Sequence, residues 1–229
     1  MPEIMQYKAV KLIKRPALNI TPDLFETVTL ETPALEDGQF LLKQTHMSLD
    51  PAMKGWMTDD RNSYIPPVEL GEIMRSSGVA EVVESRHDDF AVGDRVVGMI
   101  GWTEYAVSDG QGLNKLPPGI SADAVLCVLS LPGLTAYQGL MKIGKPKAGE
   151  TLVVSGAAGS VGSMVGQLAK AEGLTVVGTA GTDDKCRWLE DELGFDKAIN
   201  YKSDDLAWQI GEATPQGIDL YFENTGGLV

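Results

Sequence analysis

The sequence predicts an α/β protein in two parts, a partly open β-barrel of short strands followed by a parallel sheet covered by helices. In the first part, short alternating segments are separated by glycine and proline, which is typical of a small barrel. From about Ser121 onward, apolar β-branched segments alternate with helical patterns, which favours parallel strands and right-handed crossovers. We therefore expect one domain over residues 1–125 and a second over residues 126–229.

Alternation of apolar and polar residues predicts the strands of the first part, with turns at glycine and proline. A turn at residues 93–95 predicts a hairpin connection. The predicted strands are Tyr7–Leu12, Phe25–Leu30, Gln39–Thr45, Gly78–Glu84, Val96–Met99 and Gly101–Val107, and Lys115–Pro118 closes the region.

The second part begins with helical patterns. Ser121 and the two residues after it have the pattern of a helix start, and we expect Pro132 and Gly133 to break this helix before a second one over Leu134–Ile143. Strands are then predicted at Leu152–Val154, Leu174–Ala180, Lys197–Tyr201 and Gly217–Phe222, with helices at Asp184–Leu193, Asp205–Ala213 and after Ser160. A doubly wound dinucleotide fold has two halves, so either the chain is a fragment or another element covers the sheet edge.

The segment Thr151–Gly173 has the order strand, glycine-rich turn, helix. Its glycines are spaced G-x-x-G-x-x-G, which differs from the common dinucleotide fingerprint. Small residues let the backbone approach a pyrophosphate, and a helix N-terminus presents N–H groups to it. We expect a dinucleotide site here; the alternative is a glycine-rich loop that binds nothing. The candidate binding residues are Gly156, Ala157, Gly159, Ser160, Val161 and Gly162.

Composition restricts the class of protein. Hydrophobic residues make up 43% of the 229 residues, and no apolar run approaches the roughly 20 residues that span a bilayer. The N-terminal segment lacks the apolar core of a signal peptide, and two cysteines fit a reducing compartment, so we expect a cytoplasmic protein. The formal net charge of −13 argues against a nucleic-acid partner.

The order of motifs resembles the medium-chain dehydrogenase/reductase superfamily, and in particular its zinc-free double-bond reductases: leukotriene B4 dehydrogenase/prostaglandin reductase, plant alkenal reductase and bacterial curcumin reductase. The resemblance implies a GroES-like barrel that holds substrate and a Rossmann-type NADP-binding sheet that is incomplete in this chain. The family continues for roughly one hundred further residues. The matching segments are Leu131–Leu140, Pro146–Gly162 and Tyr221–Gly227, and for the narrower group Ser48–Met57, Gly71–Ser85, Gly101–Val107 and Lys185–Lys202.

We expect no metal site. A catalytic zinc needs three protein ligands, and the whole chain has two cysteines and two histidines. Cys127 and Cys186 lie in helical patterns where packing is their usual role, and His46 has no paired Cys or His at a ligand spacing. Without a Lewis acid, hydride addition to an activated C=C bond is better supported than alcohol oxidation, because the substrate carbonyl delocalises the charge.

NADP(H) is the expected cofactor. NAD enzymes usually place an acid at the end of the second strand, whereas here the strand ends in small residues. Asp183 and Asp184 follow the strand, and it stays open whether either carboxylate extends back to bind the ribose. By resemblance, Lys185 and Tyr201 contact a 2′-phosphate; the alternative is a solvated helix residue and a packing tyrosine.

The remaining site residues come from the resemblance. It implies that Asn224 binds the nicotinamide ribose or carboxamide and that Thr135 lies beside the phosphates, with local capping or packing as the alternative. It also implies a catalytic role for Tyr64, in a substrate pocket with Asp50 and Met53. The alternative for Tyr64 is an amphipathic loop aromatic, and the alternative for Asp50 is a helix cap. Relatives often have tyrosine where this chain has Ala52, which leaves the shape of the pocket open.

These observations predict an NADPH-dependent reductase of α,β-unsaturated aldehydes and ketones, with hydride added to the β-carbon. A phenol such as Tyr64, or water, then protonates the α-carbon. The alternatives are an NADPH quinone oxidoreductase and a truncated, non-catalytic NADP-binding protein. The resemblance also implies a homodimer.

Overall fold

A computed structural model describes residues 5–203 and 205–226. The chain divides into two compact units, Met1–Leu126 and Cys127–Val229, which are described separately below. Assignment of the first unit to substrate and of the second to the cofactor remains a prediction.

The first unit is built from antiparallel strands, as the sequence predicts. One sheet has the order β6-β3-β4-β5-β7, and β1 pairs with β2 in a separate ribbon. Isolated bridges from Ala9 to Thr103 and from Lys11 to Ile73 join the ribbon to the rest of the unit. The elements are β1 (Gln6–Leu12), β2 (Phe25–Glu31), β3 (Phe40–Met47), α1 (Met53–Trp56), β4 (Ser77–Ser85), β5 (Arg95–Met99), β6 (Tyr105–Ser108) and β7 (Asn114–Lys115).

Apolar clusters hold the first unit together, and two of them involve β1 and β3. Phe40 and Leu42 of β3 pack with alternate residues of β4 and β5, as expected for strands with one buried face. The second cluster joins Leu12 of β1 to Met53, Met57 and Met74, so these methionines are core residues.

The second unit contains a parallel sheet with the order β10-β9-β8-β11. This is the strand order of the first half of a doubly wound fold plus the first strand of the second half, which confirms the predicted fold class. The elements are α2 (Leu131–Tyr137), β8 (Thr151–Val154), α3 (Ser160–Ala171), β9 (Thr175–Ala180), α4 (Asp183–Asp191), β10 (Lys197–Asn200), α5 (Leu206–Ala213) and β11 (Leu220–Phe222).

Apolar side chains cover both faces of this sheet. Val154 and Val176 pack on one face with residues of α3 and α4, whereas Val153, Val177 and Ile199 pack on the other with α5. Burial on both faces explains why the strands read as continuous apolar runs. None of the helices in the described parts of the chain is long and apolar enough to cross a bilayer.

The predicted break between two helices is present, but it lies at residues 129–130, after the helical segment Ala124–Val128, and its expected position at Pro132 and Gly133 is wrong. Helix α2 begins at Leu131, with Ser130 as its N-cap, and continues as a wider π-helical segment over Gln138–Gly144. Proline is tolerated in the first turn of a helix, where its missing N–H has no intrahelical acceptor. Gly133 is needed for close packing, because a Cβ there would stand 1.9 Å from the Val128 carbonyl oxygen.

Candidate functional site

The glycine-rich turn follows β8 at the carboxyl edge of the sheet. Gly156 has φ of 55°, in the left-handed region that favours glycine. A Cβ on this residue would stand 2.9 Å from Thr225 Cγ2 and 3.6 Å from Asn224 Cβ. The loop after β11 therefore packs directly on the first glycine of the turn.

The first turn of α3 lies against the same backbone. A Cβ on Gly162 would stand 2.6 Å from the Gly156 carbonyl oxygen and 2.8 Å from Ala157 Cα, so only glycine fits there without a shift. Gly159 is the N-cap and has no side chain to accept from the first N–H groups of the helix. Ser160 and Val161 belong to this turn, whose positive dipole end suits an anion. The cradle fits a diphosphate in shape and charge.

The loop after β11 is held by a set of hydrogen bonds that sequence reasoning missed. The buried Ser155 Oγ donates to Glu223 Oε1 at 2.6 Å and accepts from the Asn224 N–H at 2.7 Å. Asn224 Nδ2 donates to the Ser155 carbonyl at 2.9 Å. The residues Ser155, Tyr221, Glu223, Thr225 and Gly226 form what we call the Glu223 cluster.

The carboxylate of Glu223 accepts from all other members of this cluster. Oε1 accepts from the N–H groups of Thr225 at 2.6 Å and Gly226 at 2.8 Å, and Oε2 accepts from the Tyr221 hydroxyl. The hydrogen bonds from Ser155 and Tyr221, followed by those from the two N–H groups, hold the pKa of Glu223 far below its usual range. Tyr221 pairs with Val153 in the β8–β11 ladder. Because side chains alternate between the two faces of a strand, Ser155 and Glu223, each two residues further on, lie on the same face. This alternation is the sequence signal that could have brought the two residues together.

At the end of β9, the two acids considered for ribose binding already have partners. Asp183 Oδ1 accepts from Asn200 Nδ2 at 2.7 Å, and Asp184 pairs with Arg187. Lys185 is exposed, and its Nζ forms no ion pair within the described residues. Lys185 therefore provides an exposed positive charge at this edge that suits a phosphate, and Lys202 beside Tyr201 provides another.

The structure brings Tyr201 to the same strand end. Its N–H donates to the Ala180 carbonyl at 3.1 Å, and its hydroxyl oxygen stands 3.0 Å from where a Cβ on Gly181 would lie. Helix α4 begins beside it, with Thr182 Oγ1 accepting from the Lys185 N–H at 3.3 Å. Lys185 and Tyr201 thus follow neighbouring strands of one sheet edge.

Thr135 lies within α2 and not at its start. Its hydroxyl donates to the Leu131 carbonyl at 2.7 Å, which is a local helical hydrogen bond of a common kind. A position of Thr135 beside the cofactor phosphates stays a prediction.

The substrate-side candidates have different environments. Tyr64 is 88% exposed, whereas Met53 is 4% exposed and packs in the core of the first unit. Asp50 Oδ2 accepts from Ser48 Oγ at 2.9 Å, and α1 has no side-chain cap, so Asp50 does not cap this helix through its carboxylate. The roles of these residues in a substrate pocket stay predictions.

Residues 5–203 and 205–226 contain no group of three or more His, Cys, Asp or Glu side chains that could hold a metal ion. His46 Nδ1 lies 3.1 Å from Thr45 Oγ1. Cys186 is buried, and this burial raises the pKa of its thiol. These contacts are those of structural residues.

An apolar groove of about 810 Å³ runs between α2 and α3. Leu131, Leu134 and Tyr137 form one wall, and Met164 and Leu168 form the other. No acid or base lines it within the described residues, so its chemistry differs from that of the glycine-rich turn.

Comparison with known proteins places this geometry in a family. Residues 8–116 match the family model of the N-terminal domain of oxidoreductase, and residues 160–229 match that of zinc-binding dehydrogenase. The chain is 46% identical over 221 residues to the NADPH-dependent curcumin reductase of Escherichia coli (strain K12), covering 95% of this chain and 63% of that protein. It is 42% identical over 208 residues to prostaglandin reductase 1 of Bos taurus, covering 89% of this chain and 60% of that protein.

A solved structure agrees with these relatives. CurA from Vibrio vulnificus in complex with NADPH superposes with a TM-score of 0.88 at 44% identity, covering 96% of this chain and 66% of CurA. The chain therefore spans less than two thirds of the length of each of these proteins. Its fold is that of the medium-chain dehydrogenase/reductase superfamily, and over the matched residues it is a homologue of the curcumin and prostaglandin reductases.

Proposed function

We propose that the protein reduces the C=C bond of α,β-unsaturated aldehydes and ketones with NADPH. The observation that carries the proposal is the glycine cradle at residues 156–162, combined with an exposed Lys185 and paired acids at the neighbouring strand end. Similarity to an NADPH-dependent curcumin reductase and to a CurA–NADPH complex supports the same cofactor and reaction class.

The second unit would hold NADP(H) along one sheet edge. In this proposal the turn brings its backbone close to the diphosphate, which the N–H groups of Ser160–Gly162 at the start of α3 bind, with Thr135 near it. Lys185 and Tyr201 bind the 2′-phosphate, and Asn224 binds the nicotinamide end. Asp183, an acid that could favour NADH, already accepts from Asn200 at one oxygen, and in this proposal it does not bind the ribose.

The reaction needs a hydride, which bound NADPH supplies to the β-carbon. The protein's part is to align the substrate and to stabilise the enolate. We propose that the phenol of Tyr64 donates a hydrogen bond or a proton to the enolate, and that Asp50 and Met53 shape the pocket. The high exposure of Tyr64 leaves its hydroxyl accessible to a substrate.

The decrease in NADPH absorbance tests the reaction. It is measured both for this chain and for the protein expressed from its full reading frame. Turnover with curcumin and an aliphatic enone, and none with a saturated ketone, is the expected result. Turnover with benzoquinone alone would indicate a quinone oxidoreductase. Binding of NADPH without turnover by the full-length protein would indicate a non-catalytic binding protein.

Replacement of the phenol tests the proton donor. Tyr64→Phe should lower kcat by on the order of 100-fold with little change in the Kd for NADPH. An unchanged kcat would assign protonation to water.

We also propose a cytoplasmic location and a homodimeric state. Cell fractionation tests the location, and sedimentation of the native protein tests the oligomeric state.

A further inference from the structure

Glu223 is an exposed residue whose carboxylate is nevertheless fully engaged by the protein. Its Oε1 accepts from Ser155 Oγ, from the Thr225 N–H and from the Gly226 N–H, all within 2.8 Å, and its Oε2 accepts from the Tyr221 hydroxyl. An exposed acid normally exchanges among water molecules, because holding a side chain in one geometry costs entropy. This carboxylate instead holds the N–H groups of two consecutive residues after β11, Thr225 and Gly226.

Ser155 transmits this order to Asn224. Its hydroxyl proton goes to Glu223, so its oxygen is oriented to accept from the Asn224 N–H at 2.7 Å. The Asn224 amide group donates back to the Ser155 carbonyl at 2.9 Å. Asn224 is thereby held at two points beside Gly156, with its Cβ 3.6 Å from where a Cβ on Gly156 would lie.

Glu223 is exposed at the edge of the second unit, although its partner Ser155 is fully buried. Strand β11 is held to β8 by its own ladder from Leu220 to Phe222. Loss of the carboxylate should therefore release the loop without removing a core side chain or a ladder pairing.

We propose that Glu223 is a positioning residue for the dinucleotide, which it does not itself contact, because its carboxylate holds Asn224 against the glycine turn. The inference rests on the dinucleotide-binding half of the proposed function. If the loop samples other conformations, affinity falls in proportion to the competent fraction.

Equilibrium binding to the 229-residue chain tests this proposal, with NADPH and NADH as separate ligands. Glu223→Ala should weaken both by the same factor, about tenfold, because Asn224 is proposed to act at the nicotinamide end that the two share. Lys185→Ala should weaken NADPH alone. Glu223→Gln keeps one acceptor oxygen and should recover most of the affinity. The matched control is Glu212→Gln, which replaces an exposed glutamate of α5.

Amide exchange and thermal unfolding separate positioning from general stability. Loss of these hydrogen bonds should lower the Tm of Glu223→Ala, but exchange at Thr225 and Gly226 should become about tenfold faster than the fall in stability alone accounts for. Unchanged affinity for both nucleotides in this variant, or a uniform increase in exchange across the second unit that accounts for the loss of affinity, would overturn the inference alone. If the wild-type chain binds neither nucleotide, the proposed function fails first.

Discussion

Single glycines determine whether the backbone of the second unit can form the proposed diphosphate cradle. Gly156 has a positive φ, and a Cβ there would contact Thr225. Gly162 lies in the first turn of α3, where a Cβ would contact the backbone of the glycine-rich turn. The sequence shows three glycines at equal spacing, but it does not show that their constraints differ. The order of strand, glycine-rich turn and helix therefore identified the turn, and the structure explains why Gly156 and Gly162 resist a side chain.

Gly156→Ala tests the turn at the scale of one residue. The left-handed conformation should cost about 1–2 kcal/mol, and the contact with Thr225 should displace the loop, so nucleotide affinity should fall as well. Gly149→Ala is the control, because Gly149 also has a positive φ but no described atom lies within 4 Å of its Cβ position. Equal losses of affinity in the two variants would contradict a role for Gly156 in binding.

Lys185 provides a charge test of cofactor choice. Lys185→Ala should weaken NADPH by about tenfold or more and leave NADH unchanged, because the lysine is proposed to bind only the 2′-phosphate. The loss should shrink at high salt, where exposed charges are screened. Lys147→Ala, another exposed lysine of the second unit, should change neither affinity.

At the scale of elements, long-range packing decides what local patterns leave open. The expected break at Pro132 and Gly133 lies at residues 129–130 instead, where Gly133 lets the start of α2 approach the Val128 carbonyl. The Glu223 cluster was missed for a related reason, since Ser155 and Glu223 are 68 residues apart in sequence and meet only through the β8–β11 pairing. Strand positions, in contrast, follow from local patterns of apolar residues and were predicted within a few residues.

Gly166 tests the packing of α3 on the sheet. A Cβ at this position would stand 1.9 Å from Phe195 Cζ, so Gly166→Ala should destabilise the protein by about 1–3 kcal/mol. Gly211→Ala in α5 is the matched helical control: no described atom lies within 4 Å, and the substitution should stabilise by about 0.5–1 kcal/mol. Urea unfolding measures both, and opposite signs are expected.

Asp196 links α3 to β9 and should give the protein a pH-dependent stability. Burial opposes its ionisation, but hydrogen bonds from Lys170 and from the Val176 N–H outweigh this effect, so the pKa of Asp196 is lowered. A lowered folded pKa means that the stabilisation is present above the unfolded pKa and is lost as the pH falls through the folded value.

Asp196→Asn should therefore cost about 1 kcal/mol near neutral pH, and the variant's difference from wild type should shrink in acid. Urea unfolding at a series of pH values below about 5 measures this. A difference that does not change with pH would show that the carboxylate charge contributes nothing.

At the scale of the whole molecule, the chain has two compact units and matches relatives of which it covers less than two thirds. Fold class and family could be predicted from the sequence because strand periodicity and the motif order extend over nearly the entire chain. Substrate-side roles could not be resolved in the same way. Tyr64 is in an exposed loop, and nothing in local periodicity states what such a side chain contacts.

The central claim is that the turn from Gly156 to Gly162 binds the diphosphate of NADPH at the N-terminus of α3. A crystal structure of the chain grown with NADPH tests it most directly. The account predicts diphosphate density against the N–H groups of this turn, with the adenosine phosphate beside Lys185. Well-ordered crystals at saturating NADPH with this crevice empty, or with the nucleotide bound elsewhere, would contradict it.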